Sequence, residues 1–144
     1  MKQPALLILF LAVLHVAGSS SAQQQVEAKG LRSKIELESM ISGYLVELNG
    51  KYKLRATELT FEPGGYAGEH HHVGPGIRYV ASGEVTFLQE GKTTIYKTGD
   101  YFYESGDISH SGANKTSSPV VVIVFEILPA DWTGRGTALP PKAR

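Results

Sequence analysis

The sequence predicts a small all-β protein, built as a barrel or a sandwich. Turn signals rich in glycine, proline and asparagine separate short β-branched and aromatic runs, and such signals recur about every eight to twelve residues. After residue 22 no segment shows a convincing helical spacing of apolar residues. The most apolar run, residues 120–125, is continuous rather than alternating, which predicts a strand covered on both faces.

The chain begins with a segment typical of a secretory signal peptide, residues 1–22. Lys2 provides a positive charge, residues 5–17 are almost wholly apolar, and Ser20-Ser21-Ala22 supplies small residues before a cleavage site. A transmembrane anchor is the alternative, but the apolar run is shorter than the ~20 residues that a spanning helix needs. We therefore predict cleavage after Ala22 and a secreted or periplasmic protein without membrane contact once cleaved.

The rest of the chain is long enough for one domain and too short for two. We predict a flexible lead-in at residues 23–32, a barrel domain at 33–129 and an extended tail at 130–144. The absence of cysteine excludes disulfides and thiolate ligands. The 14 basic and 14 acidic residues give a net charge of +0 without a run of either sign. Nucleic-acid binders typically carry a basic stripe, so we expect no nucleic-acid partner.

The domain is predicted to start with a hairpin. Residues 33–41 fit either a strand or a helical turn. Residues 44–48, followed by Asn49-Gly50, predict a strand and a type I′ turn, because both central residues of that turn need a positive φ. The return strand, residues 51–61, is expected to end at Pro63-Gly64-Gly65.

Five further short strands are predicted along the chain. They are residues 77–81, 85–88, 93–96, 101–103 and 120–125. A barrel interior accepts only alternate residues of a strand, so the outer face of the last run needs separate cover. We predict a homodimer that provides this cover, and the alternative is the tail around Trp132.

Three consecutive histidines, His70, His71 and His72, lie between two glycine-rich turns. In an extended strand the side chains at i and i+2 share a face, so His70 and His72 point one way and His71 the other. Two imidazoles on one face make half of a metal site, and His110 is the only other histidine after residue 22. The alternative is an incidental, solvated histidine tract.

The two stretches around these histidines resemble the paired motifs of the cupin superfamily. The matching positions are Gly64, His70, His72 and Gly83 in the first motif, and Gly99, His110 and Asn114 in the second. In the second motif Ser105 and Asp107 replace a proline and a glycine. The resemblance covers residues 59–125 and implies a cupin-type double-stranded β-helix, or jelly-roll barrel, with a metal site in its mouth.

The first motif departs from the family at one important position, where Gly76 replaces the glutamate. The site is then either a three-histidine centre with open positions, as in some cupin oxygenases, or a ligand-binding pocket without tight metal binding. Glu69 does not replace the missing carboxylate, because it neighbours His70 and points to the opposite face. Glu84 and Glu104 reach the mouth only if their loops bend favourably.

Arg78 is the candidate substrate-binding residue. If the strand keeps the family's register, its side chain faces the barrel interior together with Gly76 and Val80. A buried arginine is costly unless it is paired, and the sequence offers no obvious carboxylate on this face. We therefore expect it to bind a carboxylate or phenolate of a substrate. The alternative is a bulge at residues 74–76 that turns Arg78 towards solvent.

Asn114 ends the second motif and also starts a glycosylation sequon, Asn114-Lys115-Thr116. We expect it to close the turn after His110. The resemblance implies a divalent metal (Fe, Mn, Zn, Ni or Cu) on His70, His72 and His110, and a small-molecule ligand or substrate. Three classes of function stay open: a metal-dependent, dioxygenase-like oxidoreductase; a non-catalytic binding or sensing module; and a structural barrel without bound metal.

Overall fold

A computed structural model describes residues 25–141, and the predicted signal peptide, residues 1–22, lies outside this part of the chain. All regular structure in the described part consists of nine β-strands. The strands are β1 (Ala28–Met40), β2 (Tyr52–His72), β3 (Gly76–Ser82), β4 (Glu84–Gln89), β5 (Lys92–Lys97), β6 (Tyr101–Glu104), β7 (His110–Ala113), β8 (Val120–Pro129) and β9 (Ala138–Leu139). Over residues 25–141 there is no helix of the length and hydrophobicity that a membrane span needs.

The strands form one antiparallel sheet in the order β5-β4-β7-β2-β8-β3-β6, and both β1 and β9 pair with β2. The central strand is β2, which is 21 residues long. Its first half pairs with β8, and its second half pairs with β7 and β9. β2 therefore links β8 at one end to β7 and β9 at the other. The architecture confirms the predicted all-β class.

The prediction that the second strand ends at Pro63-Gly64-Gly65 is wrong, since β2 continues to His72. Gly64 has a φ of 72°, a conformation that glycine adopts without a steric penalty. The Gly64 amide donates to the Asn114 carbonyl oxygen at 3.1 Å, and the Asn114 amide donates to the Gly65 carbonyl oxygen at 2.9 Å. These bonds satisfy the backbone at the bend, so the histidines lie at the end of a strand.

The predicted strand at residues 44–48 is also wrong, because these residues belong to the loop between β1 and β2. A type I′ turn needs two residues with positive φ, and in the pair Asn49-Gly50 only Gly50 has one, 69°. The Asn49 side chain instead donates to the Gly43 carbonyl oxygen at 2.7 Å and closes the loop.

β1 starts at Ala28, so residues 28–32 of the predicted flexible lead-in lie in a strand. The ambiguous segment 33–41 is resolved as the continuation of that strand up to Met40. The register runs from Ala28 opposite Ala67 to Met40 opposite Lys53. The edge of β2 offers backbone hydrogen-bonding groups along this whole length, which explains the longer strand. Beyond these residues the division into lead-in, barrel and tail stays a prediction.

The core lies between β2, β3, β4 and β8, and its buried residues include Phe61, Val80, Val85, Val120 and Val122. Burial along β8 alternates, and Phe125 on its outer face is 47% exposed. Within the described chain, therefore, only the inner face of the apolar run is fully covered, contrary to the cover on both faces that the sequence suggested. The homodimer that would cover the outer face stays a prediction.

Candidate metal centre

Two strands bring the three predicted histidines together. His70 and His72 lie at the end of β2, and His110 begins β7 directly opposite His70 in the register. One ring nitrogen from each of the three lies within 4.8 Å of the other two. His71 is outside this cluster, and its backbone pairs with Leu139 of β9. The alternation of a strand therefore produces the separation of His71 from its neighbours that the sequence predicted.

The hydrogen bonds of His70 and His110 define which ring nitrogen is free. His70 Nδ1 lies 2.7 Å from the Gly68 carbonyl oxygen, and His110 Nδ1 lies 3.1 Å from the Ile108 carbonyl oxygen. A carbonyl oxygen can only accept, so each Nδ1 carries the hydrogen and donates it. The Nε2 atoms of the neutral rings then keep a lone pair. His110 Nε2 is buried without a hydrogen-bond partner among the described residues.

His72 has a similar arrangement through a hydroxyl group. Thr137 Oγ1 donates to Glu126 Oε1 at 2.8 Å, and it lies 3.2 Å from His72 Nδ1. The hydroxyl uses its hydrogen on the carboxylate, so it accepts from the Nδ1–H of His72. Metal-bound histidines usually have such a partner on the second nitrogen, because it fixes the tautomer and the ring orientation.

The pKa values favour neutral rings at two of the three positions. Burial lowers the pKa of His70 to about 4 and also lowers the pKa of His110. Burial acts in the same direction on His72, but the carboxylates of Glu104 and Glu126 outweigh it and raise the pKa of this ring. Neutral imidazole is the form that binds metals, so His70 and His110 need no deprotonation at pH 7.

Two carboxylates also belong to this site, Glu104 on β6 and Glu126 on β8. We expected Glu104 to reach the mouth only if its loop bent favourably, and Glu126 was missed. They flank Gly76 on its two neighbouring strands, and they are 6% and 2% exposed. Glu104 Oε2 lies 3.0 Å from His72 Nε2, and Glu104 Oε1 lies 3.3 Å from His110 Nε2. A carboxylate therefore lies beside the histidines, although it comes from a different strand than the first motif led us to consider.

Arg78 lies between these carboxylates and is 2% exposed. Its Nη2 contacts Glu104 Oε2 and lies 3.4 Å from Glu126 Oε1. The inward orientation predicted from the register is therefore correct, and the alternative of a bulge that exposes Arg78 is wrong. The premise that this face has no carboxylate is also wrong, so the buried charge needs no substrate to pair it. A role for Arg78 in substrate binding stays a prediction. Its Nη1 is buried without a hydrogen-bond partner in the described chain, so this atom could still donate to a ligand.

Glycine at position 76 makes room for this arrangement. A Cβ atom there would collide with Arg78 Nη1 and with the Phe125 carbonyl oxygen. Although burial alone would raise the pKa of Glu104, the neighbouring His72 and the positive charge of Arg78 lower it to about 2. Burial, His72 and Arg78 act in the same way on Glu126, whose pKa is also lowered. Both carboxylates are therefore ionised at neutral pH.

The histidines line a cavity of about 160 Å³. Much of the remaining wall is apolar, and it includes Phe61, Val85, Phe87, Phe102, Val122 and Val124. The segment 135–138, which contains Thr137, also borders the cavity. An engineered apolar cavity of about 150 Å³ holds benzene, so the space suits a molecule with about one ring.

Asn114 has the structural role that was predicted for it. The residue is 1% exposed, and its Nδ2 donates to the carbonyl oxygens of Phe61 at 3.0 Å and Ser118 at 2.8 Å. Its Oδ1 accepts from the amide and the hydroxyl of Thr116 at 2.8 and 2.7 Å. In this structure the amide nitrogen of the sequon is thus buried and uses both hydrogens within the protein.

Comparisons with known proteins support the fold described above. The family model of the cupin domain matches residues 57–126. No curated protein matches the sequence. Among solved structures, KdgF from Halomonas sp. is similar, with a TM-score of 0.53 and 23% identity over 72% of this chain and 84% of that chain. An RmlC-like cupin from Shewanella frigidimarina has a TM-score of 0.53 and 19% identity over 74% of this chain and 87% of that chain.

A third similar structure is a cupin domain from Bordetella pertussis, with a TM-score of 0.52 and 17% identity over 70% of this chain and 96% of that chain. At these identities the likeness of the structures concerns the fold. It confirms the jelly-roll barrel that the paired histidine motifs implied. The family match identifies residues 57–126 of this chain as a cupin domain.

Proposed function

We propose that this cupin binds one divalent metal ion through the Nε2 atoms of His70, His72 and His110, and that it holds a small molecule in the adjoining cavity. The observation that carries the proposal is the set of Nδ1 partners. Each ring has its Nδ1 next to a carbonyl or hydroxyl oxygen, which leaves Nε2 as the nitrogen that can bind a metal, and one ring nitrogen from each residue lies within 4.8 Å of the other two. Imidazole ligands suit Fe, Mn, Zn, Ni and Cu, and the histidines do not select one of these metals.

The small molecule that we propose has about one ring and an oxygen atom that faces the histidines. The cavity volume of about 160 Å³ sets its size, and the apolar wall favours a largely hydrophobic body. A bound metal would act there as a Lewis acid on an oxygen of the ligand or of water. Arg78 lines the cavity, and its Nη1 has no hydrogen-bond partner in the described chain, so this residue is our candidate contact for an anionic group of that ligand.

A dioxygenase-like oxidoreductase is the second function that we propose for the same site. Three histidine ligands leave coordination positions open, and apolar side chains such as Phe87 and Phe102 enclose the space beside them. A non-catalytic binding or sensing module would use the same positions for its ligand without turnover. The two functions share the metal and differ only in whether the bound molecule is converted.

One experiment tests these possibilities in sequence. Untagged protein is stripped with a chelator and titrated with Fe(II), Mn(II), Co(II), Ni(II), Cu(II) and Zn(II), and we expect one tightly bound ion per chain. The affinity should fall as the pH is lowered through the pKa of His72, which Glu104 and Glu126 raise above its usual value, because a proton on this ring competes with the metal. A protein that binds none of these ions would be a structural barrel. Oxygen consumption by the metal-loaded protein over phenols, flavonoids and small acids then separates an oxidoreductase from a binding module.

A further inference from the structure

We propose that Glu104 is a fourth protein ligand of the metal, supplied from β6, and that Arg78 and Glu126 hold it in position. The inference rests on the proposed function, because it needs a metal ion at the three histidines. It goes further in assigning a ligand that lies on neither histidine-bearing strand. The register places Glu104 directly opposite Gly76, at a position where β3 itself has no side chain.

Glu104 lies at ligand-like distances from two of the three histidines, through a different oxygen for each, although the cluster of atoms that all lie within 4.8 Å of one another contains only His70, His72 and His110 in the described chain. Metal–nitrogen and metal–oxygen bonds of about 2.1 Å separate adjacent ligand atoms by about 3.0 Å in octahedral and about 3.4 Å in tetrahedral geometry. Glu104 Oε2 is 3.0 Å from His72 Nε2, and Glu104 Oε1 is 3.3 Å from His110 Nε2. The carboxylate therefore meets the same nitrogen atoms whose lone pairs are free for the metal.

Glu126 provides the contrast that separates a ligand from a supporting residue. Its Oε1 lies 3.4 Å from His72 Nδ1 and accepts the hydroxyl hydrogen of Thr137 at 2.8 Å. It thus contacts the side of the His72 ring that faces away from Nε2. While His72 binds metal through Nε2, Glu126 orients the ring through Thr137 and stays outside the coordination sphere.

Arg78 explains how two buried carboxylates can lie this close before a metal arrives. Its guanidinium contacts both, and one positive charge against two negative charges leaves the group with a net charge of −1. Buried like charges would otherwise repel each other and lose much of their solvation. Because Arg78 fills the space above Gly76, Glu104 is held from one side and its oxygens stay directed at the histidines.

The matched variants Glu104→Gln and Glu126→Gln test the inference. Both remove one buried negative charge that contacts Arg78 and His72, but only Glu104 lies on the Nε2 side. Metal-free protein is loaded with Co(II), its affinity is measured by chelator competition, and its visible absorption reports the ligand set. We expect Glu104→Gln to change the Co(II) spectrum and weaken binding more than about 100-fold. Glu126→Gln should keep the wild-type spectrum and weaken binding by about 10–100-fold, as outer-shell changes do.

A wild-type Co(II) spectrum in folded Glu104→Gln would overturn the inference, and so would the same spectral change in both variants. If wild-type protein takes up no metal, the proposed function fails, whereas metal uptake with an unaffected Glu104→Gln protein overturns only the role of Glu104. Should Glu104→Gln not fold, a structure of the metal-loaded wild type decides. A Glu104 oxygen within about 2.2 Å of the ion supports the inference, and one beyond about 3 Å overturns it.

Discussion

Replacing Arg78 with leucine should lower the free energy of unfolding by about 3–5 kcal/mol, the usual cost of removing one partner from a buried ion pair. Arg78 is 2% exposed and lies between Glu104 and Glu126, which are 6% and 2% exposed. Leucine removes the charge that both carboxylates contact, so two ionised groups are left facing each other inside the barrel. Urea denaturation of metal-free protein, followed by circular dichroism, measures the loss.

The control is Arg32→Leu, the same chemical change at the surface. Arg32 Nη2 lies 2.6 Å from Glu62 Oε1, but its side chain is 72% exposed. Exposed pairs of this kind contribute about 0–1 kcal/mol, so this variant should unfold close to the wild-type midpoint. If Arg78→Leu loses no more stability than Arg32→Leu, the buried cluster does not have the energetic role that we assign to it.

Replacing His70, His72 or His110 with alanine should weaken metal binding by more than about 100-fold in each case. Loss of an outer-shell partner of a ligand already costs about 10–100-fold, and loss of the ligand itself removes a metal–nitrogen bond. His71→Ala is the matched control, because it changes the same residue type on the same strand, outside the cluster. We expect its affinity to stay within about threefold of wild type, as measured by competition with a chelator.

Equal losses in His71→Ala and His72→Ala would show that the register of β2 is not the one described. Thermal unfolding of each metal-free variant separates loss of a ligand from loss of the fold. His70 and His110 are 6% and 4% exposed, so their alanine variants are also expected to lose some packing. Affinities are therefore compared at a temperature at which each variant is folded.

The parts of the site that were predictable follow from the local geometry of strands. His70 and His72 share a face because side chains alternate, and this holds whatever pairs with the strand. The same alternation runs along β8 through Val120, Val122 and Val124 and continues to Glu126. The inward position of Glu126 was therefore readable from the sequence, although the apolar run drew attention only as far as Phe125.

The position of Glu104 beside the histidines could not be derived from the sequence. Its place beside the histidines depends on the register of β3 with β6, in which Gly76 lies opposite Glu104. These strands are separated in the chain by β4 and β5, so no local pattern defines their alignment. The hairpin predicted at Asn49-Gly50 failed for a related reason, because β2 pairs with β1 over almost its whole length and the turn residues adapt to that pairing.

A crystal structure of untagged protein, with diffraction data collected at the absorption edges of the candidate metals, would show whether His70, His72 and His110 bind a metal ion. The tag is omitted because its own histidines would bind the same metal ions. We expect one anomalous peak about 2.0–2.2 Å from the Nε2 atoms of His70, His72 and His110, with their Nδ1 atoms still hydrogen-bonded to protein oxygens. Absence of a peak after metal loading, or a metal bound elsewhere while these three rings stay metal-free, would contradict this expectation.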